Sequence, residues 1–468
     1  MIAIDLGAGS CRVSLLRWIN GSPDVFVVHR FANGPVQDGE SIRWPLDDIL
    51  QGVEHGLRLC AEISSGPIAS IGVDGWAVDY VRLQDDGEPL SLPFCYRDPR
   101  NEAAEATVHA RISEGRLYSL TGLQRLRFNT IYQLYADKLA GVGDSLRWVN
   151  LPEYVLHRLG ARRFSEYTNA THTGLIDLRT KSWSNEIFDA LGFDLSAAPE
   201  LVSPGSDVGL LRGPLAELAA FKGTRLIAPA CHDTASAIAA IAHEGDGSAY
   251  LSSGTWSLLG TVLPAALNSE AAYGSNFTNL GAAGGGICFH KSVNGMWLIQ
   301  QCLVHWGDAY ALPELIAEAE GLGAPDGLMD VDDPELMLPG NMPGRINEVR
   351  MNAGLAAISE GEAARFANLI FHSLAAKYAV VLRELAAVTG KQLLCLHVVG
   401  GGGKNRFLNR LTAEATGLEI RVGHVESSTI GNLAIQMAVF DRGQDRVGGP
   451  SILEISRCAR ELEAAHYE

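Results

Sequence analysis

The sequence lacks the features of three classes of protein. No apolar run reaches the roughly 18 residues that a membrane-spanning helix needs without a charge or a helix breaker. The eight cysteines are scattered and form no CxxC pair, so neither a zinc site nor a disulfide framework is predicted. Basic residues are few: 37 Lys and Arg stand against 54 Asp and Glu, a net charge of −17. This charge argues against nucleic acid or an anionic membrane as the main partner.

The chain also begins without the basic segment of a secretory signal, because Met1 leads directly into an apolar run. Together with the scattered cysteines, this predicts a reducing, cytoplasmic location. The chain does have length and apolar content, with 468 residues, 47% of them hydrophobic and 19% charged. These values predict a globular protein of two or more domains.

The most informative stretch lies near the middle of the chain. An apolar strand is predicted at 225–228, and a helix of small residues begins soon after it, with Asp233 at its start. Asp is a preferred helix N-cap, which is one interpretation. The other is functional, because a carboxylate at the floor of a cleft between two halves is well placed to act as a general base. The stretch alone leaves both interpretations open.

Two glycine-containing turns, about 250 residues apart, each lie between a pair of predicted strands. The first is in MIAIDLGAGSCRVSLL and the second is in AYLSSGTWSLLGTVL. The first is not a dinucleotide fingerprint, because Arg12 stands where the third glycine belongs and a strand follows. Each turn is either an ordinary hairpin or one that presents backbone N–H groups to an anion. The pair indicates an internal duplication, with coincidence as the alternative.

A denser cluster of four glycines, residues 400–403, lies between a predicted strand at 393–399 and a predicted helix at 407–416. It is not a P-loop, because Asn405 follows Lys404 where that motif requires Ser or Thr. A strand, a glycine-rich loop and a helix N-terminus favour a nucleotide or anion site over a flexible connector. Ser428 and Thr429 then predict the N-cap of a final core helix at 430–440.

In their order along the chain, these segments resemble the FGGY carbohydrate kinases of the actin and hexokinase superfamily, and among these they look most like the rhamnulokinases. The segments that carry the resemblance span nearly the whole chain. They are DLGAGSCR from Asp5, GVDGWAVDY from Gly72, LPFCYRDPR from Leu92, CHDTASAIAA from Cys231, YLSSGTWSLLG from Tyr250, GMWLIQ from Gly295, VVGGGGKN from Val398 and SSTIGNLAIQ from Ser427.

The resemblance implies an α/β fold of two actin-like (ribonuclease H-like) ATPase domains. Each is expected to be a mixed five-stranded sheet flanked by helices, with the active site in the interdomain cleft. A sugar-binding N-terminal domain is expected at 1–244 and a nucleotide-binding C-terminal domain at 245–468. The implied reaction is the ATP- and Mg2+-dependent phosphorylation of the C1 hydroxyl of a ketose, most similar to the conversion of L-rhamnulose to L-rhamnulose 1-phosphate.

The resemblance also implies a role for individual residues. Asp233 is expected to accept the proton of the sugar hydroxyl, and Asp5 to hold Mg2+ through water, although an Asp at a turn can also simply stabilise the turn. The residues expected to bind ATP or its phosphates are Ala8, Gly9, Ser10, Cys11, Arg12, Gly254, Thr255, Gln300, Gly401 and Gly402. The residues expected to contact the sugar are Trp76, Ala77, His232, Asp233, Thr234 and Ser292. An ordinary core position remains an alternative for Trp76.

Three sugar-facing positions depart from the rhamnulokinase pattern. Gly75 and Ala77 replace Thr and Gly, and Ser292 stands where that pattern has Asn. A kinase for another ketose, such as L-fuculose, ribulose or xylulose, is therefore an alternative. An actin- or chaperone-like ATPase and an inactive sugar sensor are alternatives from other classes. The stretch of roughly 130 residues between Pro99 and Ala228, together with Asp233 at the expected cleft floor, disfavours the ATPase. The presence of Asp5, Thr255 and Asp233 together disfavours the inactive sensor. No nucleic-acid or membrane partner is expected, and the oligomeric state is not predicted.

Overall fold

The computed structural model of the protein describes residues 1–241, 247–442 and 448–464. Its strands lie mainly in two large sheets. In chain order the strands are β1 (Ile2–Leu6), β2 (Ser10–Ile19), β3 (Ser22–Ala32), β4 (Val36–Asp38), β5 (Ser41–Arg43), β6 (Ser70–Gly75), β7 (Tyr80–Arg82), β8 (Trp148–Asn150), β9 (Phe164–Glu166), β10 (Ile176–Asp177), β11 (Ser182–Trp183), β12 (Glu200–Val202), β13 (Ser206–Leu210), β14 (Arg225–Ala228), β15 (Ser248–Ser253), β16 (Trp256–Leu263), β17 (Thr278–Gly281), β18 (Ile287–Asn294), β19 (Cys395–Val399) and β20 (Glu419–Val422).

The α-helices alternate with these strands along most of the chain. They are α1 (Leu46–Ile63), α2 (Asn101–Arg111), α3 (Glu114–Thr121), α4 (Thr130–Leu139), α5 (Leu151–Arg158), α6 (Tyr167–Ala170), α7 (Asn185–Leu191), α8 (Asp233–Ala239), α9 (Glu270–Gly274), α10 (Trp297–Trp306), α11 (Leu312–Glu320), α12 (Met342–Asn352), α13 (Ala363–Thr389), α14 (Arg406–Thr416), α15 (Ser427–Asp441) and α16 (Ile452–Ala464). In the residues that the structure describes, no helix has the length and apolar composition needed to cross a membrane.

Both large sheets contain the same arrangement of five strands. In the first sheet the spatial order is β3-β2-β1-β6-β14, and in the second it is β18-β16-β15-β19-β20. If the five are numbered along the chain, both orders read 3-2-1-4-5, with a hairpin made by strands 1 and 2. The hairpins pair antiparallel, and strand 1 of each runs parallel to strand 4. A repeated order of this kind is what an internal duplication predicts.

Each sheet has six strands, so the prediction of five-stranded sheets is wrong by one strand. In the first sheet β13 is added beside β14, and in the second β17 is added beside β18. The two additions lie at opposite edges of the repeated arrangement. They are short, as edge strands often are, and a short edge strand carries little of the periodic pattern from which strands are predicted.

The described residues form two compact units that are not continuous in sequence. The first unit contains Met1–Ala242, Val262–Phe289 and Ser427–Glu468, and the second contains His243–Thr261 and His290–Glu426. Helices α15 and α16, at the end of the chain, therefore belong to the unit built on the first sheet. The predicted boundary between residues 244 and 245 falls outside the described residues, and the predicted division at that point stays a prediction.

The small residues of helix α8 allow another helix to pack closely against it. Helix α8 lies against α15, and both have buried residues along most of their length. At the point of closest approach Gly431 of α15 faces the backbone carbonyl of Ser236, so closely that a Cβ atom on Gly431 would overlap the carbonyl oxygen. Only glycine fits here without a shift of backbone.

We expect Gly431→Ala to lower the melting temperature of the protein, because the new methyl group forces two packed helices apart. Gly115, in α3, is a matched control, since a Cβ atom there meets no other atom within 4 Å. Gly115→Ala should leave the melting temperature unchanged or raise it slightly, as Ala favours helix. Equal melting temperatures for the two variants in a thermal unfolding experiment would contradict the packing described.

Candidate functional site

The first glycine turn joins β1 to β2 as the predicted hairpin. The register pairs Asp5 with Arg12 and Leu6 with Cys11. Gly7 is required by its surroundings, because a Cβ atom there would lie 2.5 Å from the carbonyl oxygen of Ser10. The Cys11 side chain is buried, and burial raises the pKa of its thiol to about 12. The predicted contact of Cys11 with phosphate would therefore involve its backbone and not its thiol.

Asp5 lies at the end of β1 and is buried, with 3% of its surface exposed. Its Oδ2 accepts hydrogen bonds from the Arg12 guanidinium at 2.8 Å and from the Ser428 hydroxyl at 2.7 Å. Ser428 was predicted to be at the N-cap of the last core helix. That prediction is wrong, because α15 already begins at Ser427 and Ser428 lies within its first turn.

Helix α15 presents a row of polar side chains to the first sheet. Ser428, Asn432 and Gln436 are four residues apart, which places them on one helix face. Asn432 donates to Oδ2 of Asp74 at 2.6 Å, and Gln436 donates to the backbone carbonyl of Ile2 at 2.9 Å. These contacts were not predicted from the sequence. The spacing of four in an otherwise apolar helix is the signal that points to them.

Asp74 is a further buried carboxyl group, and it was not predicted from the sequence as a site residue. It lies on β6 beside Asp5 in the parallel register, and none of its surface is exposed. Its Oδ1 has no hydrogen-bond partner among the described residues. Burial, reinforced by the negative charge of Asp5, raises the pKa of Asp74 well above its usual range. Asp5 and Asp74 thus lie side by side near the carboxyl ends of two neighbouring parallel strands.

Asp233 is the first residue of α8 and does not cap the helix with its side chain. The N-cap is His232, and no side-chain cap hydrogen bond is formed there. Oδ1 of Asp233 accepts hydrogen bonds from the backbone N–H and the hydroxyl of Thr234, and the ring Nε2 of His232 lies 3.3 Å away. Oδ2 has no hydrogen-bond partner among the described residues, and 34% of the Asp233 side chain is exposed. One oxygen is therefore held by the protein and the other is open.

The surroundings of Asp233 shift its pKa and that of the neighbouring His232. Loss of hydration raises the pKa of Asp233 to about 6, against the lowering effects of the Thr234 hydrogen bonds and of the positive charge of Arg12. Burial also lowers the pKa of His232 to about 3. At neutral pH Asp233 is therefore ionised and His232 is neutral. The Asp233 carboxylate is then a stronger base than an ordinary Asp, and the neighbouring His232 adds no positive charge that would weaken it.

The predicted sugar-cleft segment contains a strained residue. Val78 has a φ of 72°, a conformation that is rare for a β-branched residue. Its carbonyl accepts hydrogen bonds from the Thr130 hydroxyl at 2.7 Å and the Gln133 amide at 3.2 Å, which hold the strained turn. Backbone strain of this kind is concentrated at functional sites. Periodicity in the sequence could not reveal it, because the partners lie some 50 residues away.

Trp76 has most of its surface inside the protein. Only 7% is exposed, its ring lies 4.3 Å from that of Trp44, and its indole N–H donates to Asp79 at 2.9 Å. Ala77, the next residue, is also buried. The contact of Trp76 with a sugar stays a prediction, and it would involve only the small exposed part of the ring.

The second glycine turn, in the second unit, joins β15 to β16 as predicted. Its Gly254 and Thr255 carbonyls accept hydrogen bonds from the backbone N–H groups of Met296 and Trp297 at 3.0 and 3.2 Å. These contacts seat the start of α10, which carries Gln300, against the hairpin. Gln300 itself is exposed near the middle of that helix.

The third glycine cluster packs against the same hairpin. A Cβ atom on Gly402 would overlap the Ser253 side chain, whereas a Cβ atom on Gly401 would meet nothing within 4 Å. Gly400 has a φ of 85°, which glycine adopts readily. The backbone at Gly401 is therefore exposed and unobstructed, whereas Gly402 packs against Ser253.

The two units divide the predicted site residues between them. The first unit contains Asp5, Ala8, Gly9, Ser10, Cys11, Arg12, Trp76, Ala77, His232, Asp233 and Thr234, and the second contains Gly254, Thr255, Ser292, Gln300, Gly401 and Gly402. Ser292 is thus the one predicted sugar contact that lies in the second unit, and the predicted nucleotide residues are divided equally between the two units. The expectation that both sets meet across a cleft stays a prediction, as do the individual roles.

Comparison with known proteins identifies the family. The N-terminal domain model of the FGGY family of carbohydrate kinases matches residues 1–240, and the C-terminal domain model of that family matches residues 249–439. The chain belongs to the FGGY family of carbohydrate kinases. It is therefore an enzyme that transfers a phosphoryl group to a carbohydrate, and the resemblance predicted from the motifs is confirmed.

Among curated relatives, a rhamnulokinase of Enterococcus faecalis is 37% identical over 440 residues, which cover 93% of this chain and 88% of that protein. A rhamnulokinase of Bacteroides thetaiotaomicron is 34% identical over 452 residues, covering 95% and 92% of the two chains. The matches thus extend over nearly the whole length of both proteins.

Solved structures show the same fold at low sequence identity. A ligand-bound xylulose kinase from Lactobacillus acidophilus has a TM-score of 0.77 at 16% identity, with 100% of this chain and 96% of that chain covered. A glycerol kinase from Plasmodium falciparum with ADP has a TM-score of 0.75 at 14% identity, with coverage of 98% and 92%. The two-domain sugar kinase fold is therefore confirmed, apart from the number of strands in each sheet.

The Asp233 carboxyl group should titrate with a midpoint near pH 6, about two units above an ordinary Asp, because its surroundings disfavour the charged form. The 13C chemical shift of that carboxyl carbon, identified by its loss in Asp233→Asn, measures this directly. A midpoint near pH 4 would show that solvent screens the carboxylate and would contradict the environment described.

Proposed function

We propose that this carbohydrate kinase uses ATP and Mg2+ to phosphorylate the C1 hydroxyl of L-rhamnulose, in the cytoplasm, with Asp233 as the general base. The choice of sugar rests on the rhamnulokinases that match this chain over more than nine-tenths of its length. The choice of base rests on the open Oδ2 of Asp233. A small-molecule ketose is the proposed partner, and neither nucleic acid nor a membrane is required.

The state of Asp233 is the observation that carries the proposed mechanism. Phosphoryl transfer needs a group that orients the attacking hydroxyl and takes its proton. Oδ1 is fixed by the Thr234 hydrogen bonds, and Oδ2 is left open to accept a hydrogen bond from the sugar. A pKa near 6 keeps the group ionised at neutral pH and makes it a stronger base than an ordinary Asp.

Positive charge and backbone N–H groups are available for the phosphates. In the first unit, Arg12 supplies a guanidinium beside the first glycine turn and lowers the pKa of Asp233 through its charge. In the second unit, the Thr255 turn and the open backbone at Gly401 belong to one glycine-lined surface. These are the features that cradle a nucleotide when no P-loop is present.

The residues around Asp5 fit a Mg2+ ion that keeps most of its water. No group of three or more His, Cys, Asp or Glu side chains in the described ranges is arranged to hold a metal by itself. Mg2+ commonly binds through one or two carboxylates, waters and substrate phosphates, and Asp5, near the end of β1, offers such a carboxylate. When bound, Mg2+ would neutralise phosphate charge there. The residues themselves hold the Asp5 carboxylate in place, through Arg12 and Ser428.

A kinase for another ketose is the second candidate, and the departures in the sugar-facing segments favour it. Gly75 carries no side chain where the rhamnulokinase pattern has Thr, and a Cβ atom there would lie 2.8 Å from Leu6. Ala77 and Ser292 differ from the pattern as well. L-fuculose, ribulose and xylulose are the sugars that this candidate includes. An actin- or chaperone-like ATPase is disfavoured by membership of the carbohydrate kinase family.

Replacing Asp233 by Asn should lower turnover by roughly 10²–10⁴-fold, because Asn keeps the size of the side chain but cannot take a proton. ATP affinity and melting temperature should stay close to those of the parent protein. Asp24→Asn is the matched control, since Asp24 is a surface carboxylate paired with Arg17, and its turnover should not change. Near-parental turnover of Asp233→Asn in a coupled ADP-release assay would eliminate Asp233 as the base.

Gly401→Val should weaken ATP binding, because the side chain would stand where the nucleotide approaches open backbone. Gly402→Val cannot serve for this test, since its side chain would overlap Ser253 and disturb the protein without ligand. Gly361, also exposed and open, gives the control variant Gly361→Val. Isothermal titration with ATP should separate the two variants, and equal affinities would place the nucleotide elsewhere.

A further inference from the structure

A histidine outside the recognised motifs contacts the residue next to the base. His172 lies in a short 3-10 turn, Thr171–Thr173, after α6. Its Nε2 is 3.0 Å from Nδ1 of His232, and the two rings are 4.0 Å apart between centres. The other nitrogen of His232, Nε2, lies 3.3 Å from Oδ1 of Asp233. The three side chains thus form a continuous row that ends at the proposed base.

The chemistry of the groups fixes the direction of this row. An ionised carboxylate only accepts hydrogen bonds, so Nε2 of His232 must carry the proton that faces Asp233. Burial keeps His232 neutral, with a pKa of about 3, so its Nδ1 carries no proton and acts as an acceptor. Nε2 of His172 must then be the donor to Nδ1. In the other tautomer of His232, a lone pair would face the carboxylate and repel it.

One buried carboxylate, that of Glu166, links the chain segment before His172 to the segment that carries His232. Glu166 accepts hydrogen bonds from the backbone N–H of Thr168, in the short helix α6 just before the turn that carries His172, and from that of Cys231, next to His232, both at 2.8 Å. Glu166 is fully buried. The spacing between His172 and His232 is therefore set by the fold and not by two mobile surface side chains.

We propose that His172 is a positioning residue for phosphoryl transfer, which selects the tautomer of His232 that donates toward Oδ1 of Asp233 and so keeps Oδ2 turned to the sugar hydroxyl. The inference rests on the proposed role of Asp233 as the base. The 3.3 Å distance is long for a hydrogen bond, and such contacts often shorten when substrate binds. A positioning hydrogen bond next to a base acts on kcat more than on the affinity for ATP.

His172→Leu replaces the ring N–H donor by an apolar group of similar size, whereas His172→Gln keeps an N–H donor. We expect the Leu variant to lower the single-turnover rate by about 10–100-fold and the Gln variant to restore most of it. The KM for ATP should change little in either. His232→Leu should have the larger effect, and adding His172→Leu to it should lower the rate no further, since His172 acts only through His232.

His109→Leu is the matched control. His109 is also half-buried in the first unit and also places Nε2 against a partner, 2.9 Å from the Tyr132 hydroxyl, but it takes no part in the row. Its single-turnover rate should equal that of the parent protein. Additive effects of His172→Leu and His232→Leu, or a Gln variant as slow as the Leu variant, would overturn the proposal.

The tautomer can also be observed directly in the parent protein, without measuring activity. In 15N-histidine-labelled enzyme, the His232 ring should show a protonated Nε2 and an unprotonated Nδ1, with the signals identified by their loss in His232→Gln. A protonated Nδ1 would overturn the proposal even if Asp233→Asn proves inactive. The reverse result, the expected tautomer with an active Asp233→Asn, would reject the base and leave the row intact, so the two failures are distinguishable.

Discussion

The position of one helix, α15, determines where the carboxylates of the first unit lie. Its polar face holds Asp5 through Ser428 and Asp74 through Asn432. Through Gly431 it allows α8, which begins with Asp233, to pack in close contact. Three buried or half-buried carboxylates would repel one another, and this helix supplies the hydrogen bonds and the close packing that hold them in place. Because α15 lies about 190 residues beyond Asp233 in the sequence, the site depends on contacts between distant parts of the chain.

The two oxygens of Asp233 are used differently, and that difference is the basis of the proposed chemistry. The donors of the protein converge on Oδ1, and no described donor reaches Oδ2. A base must combine a fixed position with an available lone pair, and a carboxylate held by one oxygen provides both. The neighbouring His232 stays neutral, so it can orient the carboxylate without neutralising it. The raised pKa of Asp233 and the lowered pKa of His232 have the same cause, which is loss of hydration.

Local features of the site could be predicted from the sequence, whereas long-range ones could not. The glycine turns at 7–10 and 252–255, the strand before Asp233 and the close packing of α8 follow from turn chemistry, apolar runs and small residues, and the structure has all of them. The family and its two-domain fold were recognised because the motifs occur in a specific order. The sixth strands, the strained Val78, and the hydrogen bonds of Glu166 depend on residues far apart in the sequence. His172 gives no sequence signal at all, since a single histidine in a polar turn is usually unremarkable.

The proposed reaction is tested most directly by offering the enzyme a panel of ketoses and polyols. ADP release is measured for each compound, and the phosphorylated product is identified by NMR. We expect L-rhamnulose to have the highest kcat/KM and the product to show phosphorus coupling at C1. Preference for L-fuculose, ribulose or xylulose would replace the sugar but keep the kinase. ADP release that is the same with and without any sugar, and with no phosphorylated sugar formed, would contradict the account.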